Sequence, residues 1–494
     1  MKFFRCSTLL TTIFLGIAFA KKGDIKKRIL SETGWKDVSI EPNAPSHLSL
    51  LSQGRFDEGL YEKYDKSYYY PASAGKDIEV FMFDNGFNFN LDEFSEVEAK
   101  IEGFVEKNGV KNVADKAREL GIDEKILIKD FRNVNDTIPD HGTVTSTAVV
   151  GKTLGVAKKA NIHGFVFLIE NEEEVKKETE EKNEAGEKNE TGEKNETVEK
   201  KETEEKKKEK KDYLNKLIYN YLTYIKENNL IKPYQTVFNF SVRQDISLEQ
   251  FNSKEYRYTQ ALINEISKMG VVIVAGAGNE GYQPYDEKED RVLIPCAFDN
   301  VICVGGIGNI DNPEFMNDEI DSSYYEVTNY ELNLKQLNIT EQVASNFGSH
   351  VDIYAPFLYH YRGDLITNMF TAAYLNYDEK DYEIEESMYG NVAKNVNAIA
   401  PGTSMSSPLV SGVVATIMSE FYPEKKFTTS TMLEYLTELG EKDIIKDVPA
   451  GCPNVYINNG KKMVFDATDI DPEDEKPFSF LLEILKAILK FFSF

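Results

Sequence analysis

Apolar residues in this chain gather into short continuous runs, most of them closed by a turn rich in glycine or aspartate. Ile78-Glu79-Val80-Phe81-Met82-Phe83 ends at Asp84-Asn85-Gly86. The stretch from Ile162 to Leu168, the run Thr236-Val237-Phe238-Asn239-Phe240-Ser241-Val242-Arg243 and the run Gly270-Val271-Val272-Ile273-Val274-Ala275 have the same character. Continuous apolar runs suit strands buried on both faces, as in a parallel sheet. Between them the period changes. Leu214, Leu217, Ile218, Tyr221, Leu222 and Ile225 fall on one helical face. Val410, Val413, Val414 and Ile417 also recur at helical spacing and predict a buried helix, entered through the small-residue turn Gly402-Thr403-Ser404. Strands alternating with helices predict an α/β fold with a mainly parallel central sheet flanked by helices.

Other stretches lack that pattern. Residues 1–20 have a basic start (Lys2, Arg5), an apolar middle (Leu9 to Ile17) and the small-x-small end Ala18-Phe19-Ala20, which reads as a secretory signal peptide. Residues 21–40 are short, basic and without clear periodicity, and are taken as an N-terminal or pro segment. Residues 170–211 repeat Glu-Lys-Asn-Glu without an aromatic residue; too little apolar surface is available to offset ordering entropy, so a disordered insertion is expected. A second acidic insertion, rich in tyrosine, covers roughly 308–342. The main domain spans 41–467, followed by a charged linker at 468–477. Residues 478–494 form an amphipathic helix, with Glu483, Lys486 and Lys490 on a narrow polar stripe. Two roles stay open for it: docking on the domain, or peripheral contact with a membrane or partner.

Composition narrows the function classes. The net charge of −26 over 494 residues argues against nucleic acid as a partner. After the signal, Cys296, Cys303 and Cys452 remain; one disulfide plus one free thiol fits an oxidising compartment, and the pairing is not readable from spacing.

The candidate chemistry centres on Ser404. At a helix N-terminus, unpaired N–H groups and the dipole can hold negative charge on a reacting oxygen. The run Gly402-Thr403-Ser404-Met405-Ser406-Ser407-Pro408-Leu409-Val410-Ser411-Gly412 resembles the nucleophile motif of the subtilisin-like serine proteases. Val80-Phe81-Met82-Phe83-Asp84-Asn85-Gly86 resembles the aspartate motif of that family, and His141-Gly142-Thr143-Val144 its histidine motif. Ala275-Gly276-Ala277-Gly278-Asn279-Glu280-Gly281 resembles its oxyanion motif; a phosphate-binding loop is the competing reading, but it lacks the Lys-Ser/Thr ending. The Asp…His…Ser order agrees as well. Asn43-Ala44-Pro45 and the Tyr-rich stretch before Ala74-Gly75 place the closest resemblance in the fungal, proteinase K-like branch.

The resemblance implies a secreted serine endopeptidase acting on protein or peptide substrates. It would make Ser404 the nucleophile, His141 the base, Asp84 the orienting acid and Asn279 the oxyanion donor. Ser241, Val242, Arg243, Gly276, Ala277 and Gly278 would line the substrate cleft, with Arg243 standing where glycine is usual. No cofactor is needed for the chemistry; the branch carries a structural calcium, whose positions match Asp299, Val301 and Asp352. The alternative is a catalytically inactive homologue kept as a secreted or surface binding protein.

Overall fold

The computed structural model describes residues 25–55, 60, 67–106, 109–120, 123–128, 141–167, 212–307, 345–366, 383–387, 390–445, 448 and 451–464. The expectations for residues 1–20, 170–211, 308–342, 468–477 and 478–494 lie outside the described residues.

The described residues begin with helix α1 (residues 25–33). Strands β1 (Val38–Glu41), β2 (Tyr68–Pro71), β3 (Glu79–Asp84), β4 (Ala99–Glu106) and β5 (Gly109–Asn112) come next. After them stand α2 (His141–Val150), β6 (Asn161–Val166), α3 (Tyr213–Glu227) and β7 (Thr236–Phe240). The middle of the chain gives α4 (Lys254–Lys268), β8 (Val271–Gly276), β9 (Ile302–Ile307) and β10 (Ile353–Pro356). A small antiparallel sheet follows, made of β11 (Leu358–Ile366), β12 (Glu383–Ser387) and β13 (Gly390–Pro401), with β13 in the middle. The last elements are α5 (Thr403–Phe421), α6 (Thr429–Leu439), β14 (Glu441–Lys442) and β15 (Val455–Tyr456).

Ten strands form the main sheet in the order β14-β15-β10-β9-β8-β7-β3-β6-β4-β5. All neighbours are parallel except the two edge pairs. The order reverses at β3, which lies between β6 and β7; such a switch point opens a crevice beyond the strand ends. Phe81, Phe83, Phe165, Phe238 and Phe240 fill the sheet's interior, and the rings of Phe83 and Phe240 stack with centroids 4.3 Å apart. The six residues predicted for one face of α3 are all buried. Helix α5 packs on β7, β8, β9 and α2, so it is buried almost all round, as its unbroken apolar character requires.

Residues 21–40 carry no readable periodicity, yet α1 and β1 are built into the fold. Ile25, Ile29, Trp35 and Tyr69 form a small second core, and β1 pairs antiparallel with β2. The Glu32 carboxylate accepts from Lys462 N–H at 3.1 Å and Met463 N–H at 3.0 Å. Lys36 N–H donates to Glu420 at the far end of α5, and Ser73 Oγ donates to the same carboxylate at 2.7 Å. The first described segment therefore clasps residues 462–463 to the back of α5. Trp35 is the chain's one tryptophan and is 5% exposed. Its emission should be blue-shifted in the native protein and should move red when proteolysis releases α1 and β1. Solvent-like emission from the intact fold would refute the clasp.

At the N-terminal ends of β3, β4 and β6 sits a buried charged cluster. His163 Nε2 donates to Glu79 at 2.6 Å and His163 Nδ1 to Glu102 at 2.7 Å. Lys232 pairs with Glu79, and Lys100 with Glu102 at 2.9 Å. Two donating ring nitrogens require an imidazolium. Burial opposes that charge, but the two carboxylates outweigh it and raise the His163 pKa. Burial works against Glu79 too, yet His163 and Lys232 bring its pKa down to about 2. A raised histidine contributes stability below its unfolded pKa of about 6.5, lost as pH rises through the higher folded value. The lowered glutamates contribute above their unfolded pKa of about 4.3, lost as pH falls through the lower folded values. The contribution is therefore greatest between roughly pH 4.5 and 6.5. His163→Gln should flatten the alkaline fall in thermal midpoint; an unchanged pH profile would contradict the assignment.

Candidate active site

The site gathers at the C-terminal ends of β3, β7 and β8. Asp84 is the last residue of β3, and its carboxylate is almost wholly buried. Oδ1 accepts from Asn85 N–H at 2.7 Å and lies 2.7 Å from His141 Nδ1; Oδ2 accepts from Thr145 Oγ1 at 3.1 Å. Two of these contacts, to His141 and Thr145, lie on one turn of α2, so the carboxylate fixes both the ring and the helix. The close approach needs Gly142, because a Cβ there would lie 2.2 Å from Gly86 O and 2.9 Å from Asp84 Cβ. Burial disfavours a charged His141, but the adjoining Asp84 charge and hydrogen bond outweigh burial and raise the pKa.

Ser404 stands in the first turn of α5. Gly402 precedes the helix with φ of 137°, a conformation that a residue with a Cβ resists. Pro408 lies inside the helix and has no N–H to donate to Ser404 O. Ser241 Oγ donates to that carbonyl instead, at 3.0 Å. Ser241 is itself held by Asn239 Nδ2 at 2.9 Å, and Ser411 Oγ donates to Asn239 Oδ1 at 3.0 Å. A buried polar chain thus ties the end of β7 to α5. Phe83 and Phe240 pair near the ends of β3 and β7; Asp84 follows the first, and Ser241, bonded to Ser404 at the start of α5, follows the second. Ser404 Oγ donates to Ser241 O at 3.3 Å, and no hydrogen bond joins it to His141 among the described residues.

Asn279 completes the group. Its Oδ1 accepts from Thr403 N–H at 2.8 Å and Thr403 Oγ1 at 3.1 Å. A backbone N–H can only donate, so the amide oxygen faces Thr403 and Nδ2 is left on the Gly402 side. Thr403 Oγ1 in turn accepts from Gly278 N–H at 3.0 Å. Gly276 lets β8 lie against α5; its Cβ would meet Thr403 O at 3.0 Å. Asn346, fully buried, organises the turn after β8. Its Oδ1 accepts from Glu280 N–H at 3.1 Å and Tyr282 N–H at 3.0 Å, and its Nδ2 donates to Ala277 O at 2.8 Å. Sequence reasoning passes over Asn346, Thr145 and Thr403; each acts across a long chain separation that no local pattern encodes.

The remaining cleft positions divide. Ser241 is buried, Val242 half-buried and Arg243 exposed, in a stretch that belongs to no strand. Arg243 does not stand free in the cleft: its guanidinium is ion-paired with Glu280. Thr147, where the family motif has glycine, shares a 2.8 Å hydrogen bond with Tyr359 of β11.

For the calcium positions, Asp352 accepts one hydrogen bond, from Cys303 N–H at 2.8 Å, and burial pushes its carboxyl up to about 6. A half-buried carboxylate with one donor on one oxygen leaves the other oxygen able to take a cation. Asp299 fits less well: it is exposed, and its carbonyl accepts from Gln260 Nε2 at 3.0 Å. Val301, two positions after Asp299, is buried. Among the described residues no three His, Cys, Asp or Glu side chains converge as a metal cluster. Cys296 and Cys303 form a disulfide, and Cys452 is the free thiol among the described residues. No helix among the described residues is long and apolar enough to cross a membrane.

The chain is similar to known proteins. The chain is 23% identical over 394 residues to subtilisin-like protease 2 of Arthroderma otae, covering 80% of this chain and 61% of that protein. It is 23% identical over 430 residues to a subtilisin-like protease of Coccidioides posadasii (strain C735), covering 86% of this chain and 69% of the relative. The chain thus spans less than two thirds of the first relative's length. Among solved structures, a cold-adapted subtilisin-like serine proteinase matches with a TM-score of 0.45 and 16% identity, over 84% of this chain and 98% of the other. Residues 75–439 match the model of the subtilase family, and with most of its length inside that match the chain belongs to the subtilase family.

Proposed function

We propose that the protein is a secreted serine endopeptidase that hydrolyses peptide bonds through Ser404, His141 and Asp84. The observation that carries the reading is the Asp84–His141 pair, 2.7 Å apart. Ser404 Oγ turns from Ser241 O toward His141 Nε2 and attacks the scissile carbonyl. His141 takes the hydroxyl proton, and buried Asp84 holds the ring and stabilises the imidazolium. The oxyanion is received by Asn279 Nδ2 and the Ser404 N–H, which heads a helix and has no intrahelical acceptor. His141 then protonates the leaving amine, and water releases the acyl group by the same steps in reverse. The signal-like residues 1–20 and the Cys296–Cys303 disulfide support an oxidising, extracellular location.

A fluorophosphonate probe tests this. The folded protein should be labelled on Ser404, and Ser404→Ala should not be labelled. One observation favours a second reading, an inactive binding protein: the Ser404 hydroxyl is engaged with Ser241 rather than His141. Absence of labelling in folded protein would favour that reading. Such bonds are often formed only in the substrate complex, which is why the first reading is preferred.

We also propose that Asp352, with the Val301 carbonyl, holds a structural calcium. Calcium should raise the thermal midpoint of the native protein and leave that of Asp352→Asn unchanged. Equal midpoints with calcium and with a chelator would remove the ion from the account.

A further inference from the structure

We propose that Arg243 sets the side-chain preference of the cleft, favouring an acidic substrate residue beside Ser404 and rejecting lysine or arginine. The proposal rests on the peptidase reading above. Strands β7 and β8 run side by side as far as Phe240 and Ala275. Beyond that register, residues 241–243 and 277–278 belong to no strand, and the crevice of a parallel sheet opens where its strands end. Ser404 Oγ bonds the carbonyl at the start of the first segment, and Asn279 closes the second. A residue attached to Ser404 therefore places its side chain beside these two segments. Arg243 bridges them: its Cδ lies 3.0 Å from where a Gly278 Cβ would stand, and its guanidinium pairs with Glu280.

The hydrogen-bond inventory of the pair decides the sign. Glu280 Oε1 takes Arg243. Glu280 Oε2 accepts from Asn279 N–H at 3.0 Å and from Asn346 Nδ2 at 3.0 Å. Both carboxylate oxygens are engaged, and the residue is fixed by the same turn that carries Asn279. Arg243 offers five N–H donors, and Glu280 is its one ion-pair partner among the described residues. Its side chain is 37% exposed. An incoming carboxylate finds charge-assisted donors; an incoming ammonium finds a guanidinium in front of a carboxylate already neutralised. A second cation reinforces this sign, because Arg291 lies 4.0 Å over the ring of Tyr282 on the same turn. The nearby Asp245 is occupied by Tyr282 Oη at 2.6 Å. The rim thus carries cationic donors on a chain whose net charge is −26.

The test uses peptidyl phosphonates that differ in the one side chain next to phosphorus, with Glu, Ala or Lys there, on the full chain. Labelling of Ser404 should be fastest with Glu and slowest with Lys, by about tenfold or more between them. Arg243→Ala frees the Glu280 carboxylate and should reverse the order, whereas Arg243→Lys keeps a cation and should preserve it. The same three side chains in peptide amides should rank alike in binding to Ser404→Ala, measured by calorimetry, where no chemistry occurs. If a plain fluorophosphonate fails to label but the binding order holds, the peptidase reading falls and Arg243 keeps its role. Equal rates and affinities, a preference for Lys, or an order unchanged in Arg243→Ala would overturn the inference.

Discussion

Asp84→Asn should lower kcat by roughly 10⁴-fold with little change in KM, the size of loss seen when a triad aspartate loses its charge. The carboxylate presents only acceptors, and three donors converge on it: His141 Nδ1, Asn85 N–H and Thr145 Oγ1. An amide has one accepting and one donating face. If the donating face meets His141, the ring is held in the tautomer that cannot take the Ser404 proton. If it meets Thr145, the geometry survives but the imidazolium formed during attack has lost its counter-charge. The first route blocks proton transfer and the second removes stabilisation that exists only after it, so in both the loss falls on kcat. The pH profile adds an independent check. Asp84 is the influence that raises the His141 pKa against burial. The acid limb of kcat/KM in the native enzyme should therefore lie above the ordinary histidine value of about 6.5, and in Asp84→Asn it should move to lower pH. A loss below tenfold, or an acid limb that does not move, would take Asp84 out of the mechanism.

How much of this was legible in the sequence depends on how local each signal is. The strand ending at Asp84, the helix carrying Ser404 and the face of α3 were readable because an apolar run or a helical period needs only neighbouring residues. The buried faces of Leu214 to Ile225 follow that period without exception. Candidate residues Asp84, His141, Asn279 and Ser404 were readable because short motifs surround each. Their assembly was not, since it depends on the order in which β3, β7 and β8 lie in the sheet. The segment 25–41 escaped detection because its buried apolar side chains are only Ile25, Ile29 and Trp35, with Leu30, Val38 and Ile40 half-buried beside them; it is held by Tyr69, Glu420 and the 462–463 backbone. Asn346 is the extreme case: a lone asparagine that becomes important through bonds to residues more than sixty positions away. The cysteine pairing belongs to the same class, because proximity of Cys296 and Cys303 is set by β9 lying beside β8.

Asn279→Ala should lower kcat roughly 10²–10³-fold, with KM near that of the native enzyme. The substitution removes the Nδ2 donor, which faces Gly402 and has its oxygen neighbour locked on Thr403. A donor aimed at the place where charge appears strengthens its bond as the carbonyl becomes an oxyanion, so its removal is felt mainly in the transition state. Alanine also leaves the Thr403 N–H without its partner, which could loosen the turn that carries Ser404. Asn279→Asp separates the two effects. The aspartate keeps an acceptor for Thr403 N–H and Thr403 Oγ1, and puts a negative oxygen where the donor stood. If the donor matters, Asn279→Asp should be at least as slow as Asn279→Ala while its thermal midpoint stays closer to the native value. If instead Asn279 only braces Thr403, aspartate should restore most of the rate that alanine loses. Near-native activity in Asn279→Asp, or a defect in Asn279→Ala confined to KM, would therefore assign Asn279 to the scaffold and leave the oxyanion to the helix N-terminus alone.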